Sequence, residues 1–599
     1  MPCGAWLNMP APRARSLTSI KRNEHRERIK KSVDKIWLKS YPEGIPAEAD
    51  VHEYASLKDI LEKSCQRFGP LPAFSNMGTT LTYAELDVKT RVFGAYLQQT
   101  IGLSKGDRVA LMMPNVLQYP VAMFGALRAG MTVVNVNPLY TARELQHQLE
   151  DSGAKVIVVL ENFARTLEEV LDRTAVTHVI STRIGDLLAF PTGVIANLMV
   201  KYVKRMVPAW NIPQAVDFAQ ILASTNQKPL QDVPVGPEDI AFLQYTGGTT
   251  GVPKGAILTH GNMVANLEQT AAWIGRNLEA GAETIITALP LYHVFSLTAN
   301  LLTFFKLGAH NVLITNPRDI EGFIKELKAI PFTAITGVNT LFNALLNAPG
   351  IREVNASALK LAIGGGMAVQ HKVAEKWQDL FGVPLIEGYG LTETAPIVCS
   401  NPLNAKEYTG TIGLPLPSTE VSIRDDEGKE LSIGVVGEIC VRGPQVMRGY
   451  WNKPDETAKV FTPDGWLRTG DMGSMDERGF VKLVDRKKDM ILVSGFNVYP
   501  NEIEDVVMTH PGVLETAAIG VPDERSGESV ELIVVKKDPT LTAQQILQHC
   551  RQSLTAYKMP KAVVFRDEPL PKSNVGKILR RVLREEELVK RAGAQGARV

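Results

Sequence analysis

Cysteine is scarce in this chain and badly spaced for structural use: Cys3, Cys65, Cys399, Cys440 and Cys550 are an odd number with no Cys-x-x-Cys pair. Neither a disulfide framework nor a zinc site is indicated, and the pattern suits a reducing cytosol. Charge of one sign is missing too. The 65 Lys and Arg face 64 Asp and Glu, a formal net charge of +1. That balance excludes the concentrated basic face needed by a protein whose main partner is nucleic acid. Long apolar runs are absent as well. The most apolar stretch, residues 187–200, is broken by Pro191, Gly193 and Asn197 and falls short of the roughly 20 residues of a spanning helix. No transmembrane helix is expected. No apolar core of a secretory signal follows the N-terminal charges, so the place implied is the cytoplasm.

What is there is size and alternation. A 599-residue chain that is 45% hydrophobic supports sizeable buried cores. From Arg108, apolar runs at 109–113, 133–136 and 156–160 alternate with helix-like segments at 117–128 and 143–151, which predicts parallel βαβ units. The pattern resumes at 284–289, 310–315, 332–336 and 358–363, with a helix at 320–329, and predicts a second parallel sheet. Between them, residues 225–239 read as a linker into a strand at 241–245. After Pro415 the strands shorten, with turns at 425–428 and 463–465, as in a small β-barrel or meander. The chain resets at Asp485 into a compact α+β piece with a strand at 490–493 and helices at 502–509, 543–554 and 577–589.

The fold class is therefore α/β. A large N-terminal domain, 33–486, holds two parallel βαβ sheets plus a small β-barrel, and a small mobile α+β C-terminal domain occupies 487–599. Residues 1–32, where Arg13, Arg15, Lys21, Arg22, Arg26, Arg28, Lys30 and Lys31 are answered only by Glu24 and Glu27, read as a basic, disordered extension. Residues 187–206 add Lys201, Lys204 and Arg205 to their apolar stretch. Two readings stay open there: a helix packed on its own domain, or an element lying on a membrane surface with anionic headgroups.

Two motifs carry chemistry. Tyr245-Thr-Gly-Gly-Thr-Thr-Gly-Val-Pro-Lys-Gly255 is rich in glycine, hydroxyls and one lysine, a composition that aims backbone amides and side-chain donors at a polyphosphate. Lys254 follows Pro253 and precedes Gly255, so this is not the phosphate loop in which Gly-Lys-Ser/Thr opens a helix. Near the C-terminus, Pro571-Lys-Ser-Asn-Val-Gly-Lys577 offers a second lysine that a mobile domain can deliver.

Five further stretches lie between them in order: Leu361-Ala-Ile-Gly-Gly-Gly366, Glu387-Gly-Tyr-Gly-Leu-Thr-Glu393, Gly465-Trp-Leu-Arg-Thr-Gly-Asp471, Asp485-Arg-Lys-Lys-Asp489 and Ser494-Gly-Phe-Asn-Val-Tyr-Pro-Asn-Glu502. With these the chain resembles the adenylate-forming enzymes, which include acyl-CoA synthetases, luciferases and peptide-synthetase adenylation domains. Within that family it is most similar to bacterial long-chain fatty acid–CoA ligases, from near Trp37 to near Glu586. The family's initiator would fall near Val33, so residues 1–32 are also read as the product of an upstream start.

The resemblance implies ATP-dependent joining of a fatty acid to CoA through an acyl-adenylate, with Mg²⁺ as cofactor and ATP and CoA as co-substrates. It implies that Thr246, Gly247, Gly248, Thr249, Thr250, Gly251 and Lys254 wrap the phosphates, and that Glu393 and Thr246 hold Mg²⁺. Gly365, Gly366, Tyr389, Gly390 and Thr392 would form the AMP pocket, with Asp471 on the ribose and Arg486 beside it. Lys577 would bridge carboxylate and α-phosphate, Lys488 would be the hinge, and Ser494 and Gly495 would meet CoA after rotation. His293, Leu297 and Val338 would line the acyl tunnel, although His293 also reads as a satisfied core histidine. Gly248 stands where many relatives carry serine, a mark of the long-chain subfamily. A homodimer and peripheral membrane association are open partners. The alternatives are a medium-chain or aryl acyl-CoA ligase, a CoA-independent adenylating enzyme, and a non-catalytic ATP- or lipid-binding protein.

Overall fold

The computed structural model describes residues 35–225, 228–246, 253–405, 407–523, 525–573 and 576–596. The 1–32 extension and Gly247, Gly248, Thr249, Thr250 and Gly251 lie outside the described residues.

Runs of residues apolar on both faces build two parallel-rich sheets. In the first, of seven strands, the spatial order is Val216–Asp217, His178–Thr182, Val156–Leu160, Arg108–Met112, Thr132–Asn135, Ile240–Thr246, Lys254–Thr259. Its neighbours run parallel except the last pair. Val109, Ala110, Leu111 and Met112 are fully buried, as a parallel strand covered by helices on both sides requires. Helix punctuation is local. Ala142–Ser152 opens on a Thr141/Glu144 capping box and closes where Gly153 turns to φ +61°.

The second sheet has nine strands, with Leu361–Gly365, Ala334–Gly337, Thr284–Thr287 and His310–Leu313 as its parallel centre. Leu385–Gly390 extends it on one side. On the other side sits a hairpin absent from the sequence reading, Pro72–Asn76 and Thr79–Thr82, whose first strand pairs in parallel with His310–Leu313. The strand before the phosphate loop belongs to the first sheet, not the second.

The segment expected as a small barrel is a four-stranded antiparallel sheet, Glu420–Arg424, Gly437–Arg442, Leu467–Met475, Val481–Arg486. No ladder joins its outer strands among the described residues. Beyond it, Ile491–Val493, Phe496–Val498, Val513–Asp523, Gly527–Lys536 and Ala562–Arg566 form a mixed five-stranded sheet, the last strand parallel to Gly527–Lys536, with its own core of Ile491, Val498, Ile503, Val507, Leu532 and Ile546. The last helix begins at Arg580 rather than 577.

Buried polar side chains tie the two large sheets together at the ends of their strands. Asn115 donates to the carbonyls of Thr287 (3.0 Å) and Leu289 (2.9 Å) and accepts from the Leu291 amide at 2.8 Å. Tyr119 donates to the Leu291 carbonyl at 2.9 Å, and Gln244 to that of Tyr292 at 2.7 Å. Unpaired buried polar groups are costly, so these bonds fix the 289–295 turn at the junction of the sheets.

Candidate active site

Lys577 is delivered by a narrow turn. Its amide donates to Ser573 Oγ at 3.1 Å, its carbonyl accepts from the Ser573 amide at 2.7 Å, and Lys572 bridges to Ile578. Gly576 stands at φ +81°, and a Cβ there would come within 2.7 Å of Thr340 Oγ1 and 3.0 Å of Val338. Glycine is needed for both backbone and space. Thr340 also donates to the Gly576 carbonyl at 3.3 Å, so the turn is docked against the helix Asn339–Leu346 of the second sheet's layer.

From this turn Lys577 runs into the cleft. Its Cε lies 3.7 Å from where a Cβ on Gly366 would stand, as does Val338. Burial and the nearby Arg486 push its ammonium down to about 8, against the opposing pull of Asp471 and Glu393. The amine therefore remains mostly protonated at neutral pH.

Asp471 and Arg486 are cross-strand partners in the antiparallel sheet, with Arg486 Nε 3.3 Å from Asp471 Oδ1. The other Asp471 oxygen accepts the Tyr389 hydroxyl at 2.7 Å. The sequence reading placed Tyr389 in the AMP pocket and did not foresee this bond. Glu393 sits in the Thr392–Thr394 turn, where its Oε1 accepts from the Tyr450 hydroxyl at 2.7 Å and its carbonyl from the Met447 amide at 2.8 Å. Gly390 precedes that turn, and a Cβ on it would come 2.0 Å from the Pro396 carbonyl. Gly365 is packed under the Phe295 ring, 3.1 Å from its missing Cβ. Lys254 pairs with Glu456 at 2.5 Å and lies over the Tyr450 ring at 5.0 Å. Thr246 is the last described residue before the phosphate loop, and its hydroxyl donates to the Lys254 carbonyl at 3.4 Å. A cleft of about 430 Å³ opens beside Glu393, Tyr450, Gly470 and Lys487.

His293 is half-buried, its Nδ1 accepting from the Phe295 amide at 3.3 Å. Burial and then the Lys577 charge hold its imidazole down to about 3, so it is neutral at any physiological pH. Leu297 and Val338 are buried near it in separate apolar clusters, Leu297 with Leu291 and Val294, Val338 with Leu289 and Leu341.

Lys577, Glu393, Asp471, Arg486, Gly366 and His293 thus come together. Ser494 and Gly495 do not join them. They form the exposed two-residue turn between Ile491–Val493 and Phe496–Val498, at φ +52° and +84°. Phe496 beside them is 55% exposed and stacks on Tyr557 at 4.8 Å. Lys488 is exposed in the turn after Val481–Arg486. Residues that sequence reasoning missed are Tyr450, which holds Glu393, and Asn115, Tyr119 and Gln244, which hold the turn carrying His293.

Known proteins are similar to this chain along most of its length. A long-chain-fatty-acid–CoA ligase of Escherichia coli O157:H7 is 60% identical over 554 residues, 92% of this chain and 98% of that protein. One of Yersinia pestis is 59% identical over 556 residues, 93% and 99% of the two chains. Among solved structures, ATP-bound MatB from Rhodopseudomonas palustris superposes with a TM-score of 0.76 at 29% identity, covering 88% of this chain and 98% of that one. The profile of the AMP-binding enzyme C-terminal domain matches residues 502–577, where Lys577 ends the match. Since the AMP-binding enzyme profile itself matches 61–451, with Gly366, Glu393 and Tyr450 inside it, the chain belongs to the AMP-binding enzyme family.

Proposed function

We propose that this protein joins long-chain fatty acids to CoA at the expense of ATP, through an acyl-adenylate, releasing pyrophosphate and AMP. A carboxylate is a poor acyl donor because its leaving oxide is strongly basic. In the first half-reaction a carboxylate oxygen bonds to the α-phosphorus of ATP as pyrophosphate leaves. In the second, the CoA thiol loses its proton and bonds to the acyl carbon as AMP leaves. The observation that carries the reading is Lys577, held half-buried against Gly366 among Asp471, Arg486 and Glu393. A cation at that point meets the converging negative charge of carboxylate and phosphate, where preorganised charge lowers the barrier most. His293, neutral and next to the lysine, adds a polar contact without a competing charge.

The oxygen donors Glu393 and Thr246 suit a hard divalent cation. Among the described residues no group of three or more His, Cys, Asp or Glu side chains could hold a metal alone. Phosphate oxygens and water would therefore complete the shell of Mg²⁺, which when bound neutralises phosphate charge. Lys254, now on Glu456, would turn to the phosphates, and Asp471 and Tyr389 to the nucleoside.

Peripheral membrane contact belongs to the same reading. No described helix is long and apolar enough to cross a membrane. Yet Phe190, Val194, Ile195, Leu198, Tyr202 and Val203 are exposed, with exposed Lys201, Lys204 and Arg205 among and after them. An anionic bilayer that holds the fatty acid fits that surface.

The test is production of AMP and thioester from ATP, Mg²⁺ and CoA across saturated acids of increasing length, with aromatic acids alongside. A CoA-dependent maximum at long chains is expected. AMP without thioester, or a maximum at short or aromatic acids, would overturn the substrate assignment.

A further inference from the structure

Arg580, the first residue of the last helix and three residues past Lys577, is the most heavily engaged cation in the small domain. Its Nε and Nη2 fork onto the two oxygens of Glu504 at 2.9 and 2.7 Å, and Nη2 also donates to Asn501 Oδ1. That seats the helix start on the helix Pro500–Met508. Its remaining nitrogen, Nη1, lies 3.4 Å from Asp485 and 3.5 Å from Asp489.

Those two aspartates flank Arg486, Lys487 and Lys488, the turn between the antiparallel sheet and the small domain. Asp485 is the fixed side. It is buried in the strand Val481–Arg486, where its Oδ1 accepts the Arg486 amide at 2.7 Å and its Oδ2 the Asn501 amide at 2.8 Å. Glu504, Asn501, Asp489 and Arg580 all follow Lys488 in the chain and travel together. A turn about Lys488 therefore leaves Glu504–Arg580 intact and separates Arg580 and the Asn501 amide from Asp485. Arg580 spans the hinge, and it is joined by a short, helix-anchored stretch to the turn that carries Lys577.

We propose that Arg580 is a positioning residue for the first half-reaction: by bridging Asp485 and Asp489 it clamps the small domain in the orientation that places Lys577 in the cleft. This rests on the two-step ligase reading and goes beyond it, since Arg580 touches none of the reacting groups. The ion pairs of the guanidinium are with Asp485, Asp489 and Glu504, and Asp505, which Lys482 also influences, adds a further nearby carboxylate. The clamp is thus specific to a forked cation, and lysine, a point charge, cannot serve Glu504 and both aspartates at once.

The half-reactions are measured apart, as acyl-adenylate formation from ATP and fatty acid, and as thioester formation from supplied acyl-adenylate and CoA. Arg580→Ala and Asp485→Asn are each expected to slow the first by about tenfold or more, the effect of removing one charged contact on a two-state balance. The second should stay within about twofold of wild type, and Arg580→Lys should recover only part of the first. Equal losses in both halves, in variants that melt as wild type does, would overturn the clamp. Should Arg580→Ala melt early, Asp485→Asn alone decides. A readout without turnover separates the clamp from the ligase reading: trypsin cleavage after Lys487 and Lys488 should accelerate several-fold in both variants. An unchanged cleavage rate sinks the clamp, whereas wild-type protein that makes no adenylate sinks the ligase reading and leaves the cleavage result to decide the clamp.

Discussion

At the scale of single residues, two shifted groups each predict a loss as pH rises, one of activity and one of stability. Lys577, lowered to about 8, is cationic below that value, so adenylate formation should decline as pH rises past it. Replacing it by alanine should cost roughly 10²–10³ or more in that step, the size of a lost preorganised donor. Thioester formation from supplied adenylate would be less affected. A variant that still adenylates at the wild-type rate would dismiss Lys577 from the chemistry. Glu387 lies buried at the edge of the same layer, accepting from the Val369 amide at 3.3 Å. Burial, aided by the charge of Asp505, raises its carboxyl from 4.5 to about 8. Below the first value it is neutral in both folded and unfolded chains, and above the second it is charged in both. Between them the folded chain holds the extra proton, so stability falls as pH rises. Glu387→Gln should lose that slope, and melting temperatures at pH 6 and 8.5 should show the variant gaining a few degrees on wild type at the higher pH. Parallel melting curves would refute it. Asp471, Glu393 and Lys577 were legible in the sequence because each ends a recognisable run of glycine and polar residues. Tyr450, Asn115 and Gln244 were not, because each acts only by holding another residue contributed from a distant segment.

At the scale of elements, the two-residue turn Ser494-Gly495 illustrates how backbone conformation constrains a site. Both residues have positive φ and a Cβ on Gly495 would meet nothing within 4 Å. Space is therefore open while conformation is not, and Gly495→Val should cost about 1–2 kcal/mol through the left-handed backbone. If the turn meets CoA, the loss should fall on thioester formation and spare adenylation. Equal effects on both would remove the turn from CoA binding. The segment 190–206 makes a second element-scale prediction. Phe190 is 87% exposed, Val203 66% and Tyr202 65%, too much apolar surface to be a core-facing helix. Val194→Asp with Leu198→Asp should weaken sedimentation with anionic vesicles several-fold while leaving turnover of acid supplied in detergent unchanged. Vesicle binding equal to wild type would exclude this element as the contact. Strands at 109–113, 156–160 and 284–289 were readable because uninterrupted apolar runs have few other uses. The hairpin Pro72–Asn76 and Thr79–Thr82 was not, since its parallel partner His310–Leu313 lies in a remote part of the chain and only tertiary pairing makes it a strand.

At the scale of the whole molecule, if Ser494 and Gly495 are to meet CoA in the second half-reaction, the small domain must turn, because here Lys577 reaches the cleft while those two residues stand on an exposed turn. The contact between Gly576 and Thr340 allows a direct trial of that statement. A Cβ on Gly576 would lie 2.7 Å from Thr340 Oγ1, so cysteines at both positions place two sulfurs within bonding reach when the small domain is docked as seen. Among the described residues the natural cysteines at 65, 399, 440 and 550 are all buried, and Cys3, outside them, is replaced by serine for this trial. Cysteine at Gly576 carries a left-handed backbone penalty of about 1–2 kcal/mol, which the same double variant under reducing conditions measures. Once oxidised, Thr340→Cys/Gly576→Cys should still form acyl-adenylate and release pyrophosphate, but should retain the adenylate and yield no thioester. Reductant should restore thioester formation in the same sample. Turnover to thioester that continues with the crosslink intact would mean that the second step needs no rotation, and the clamp at Arg580 would then have nothing to control.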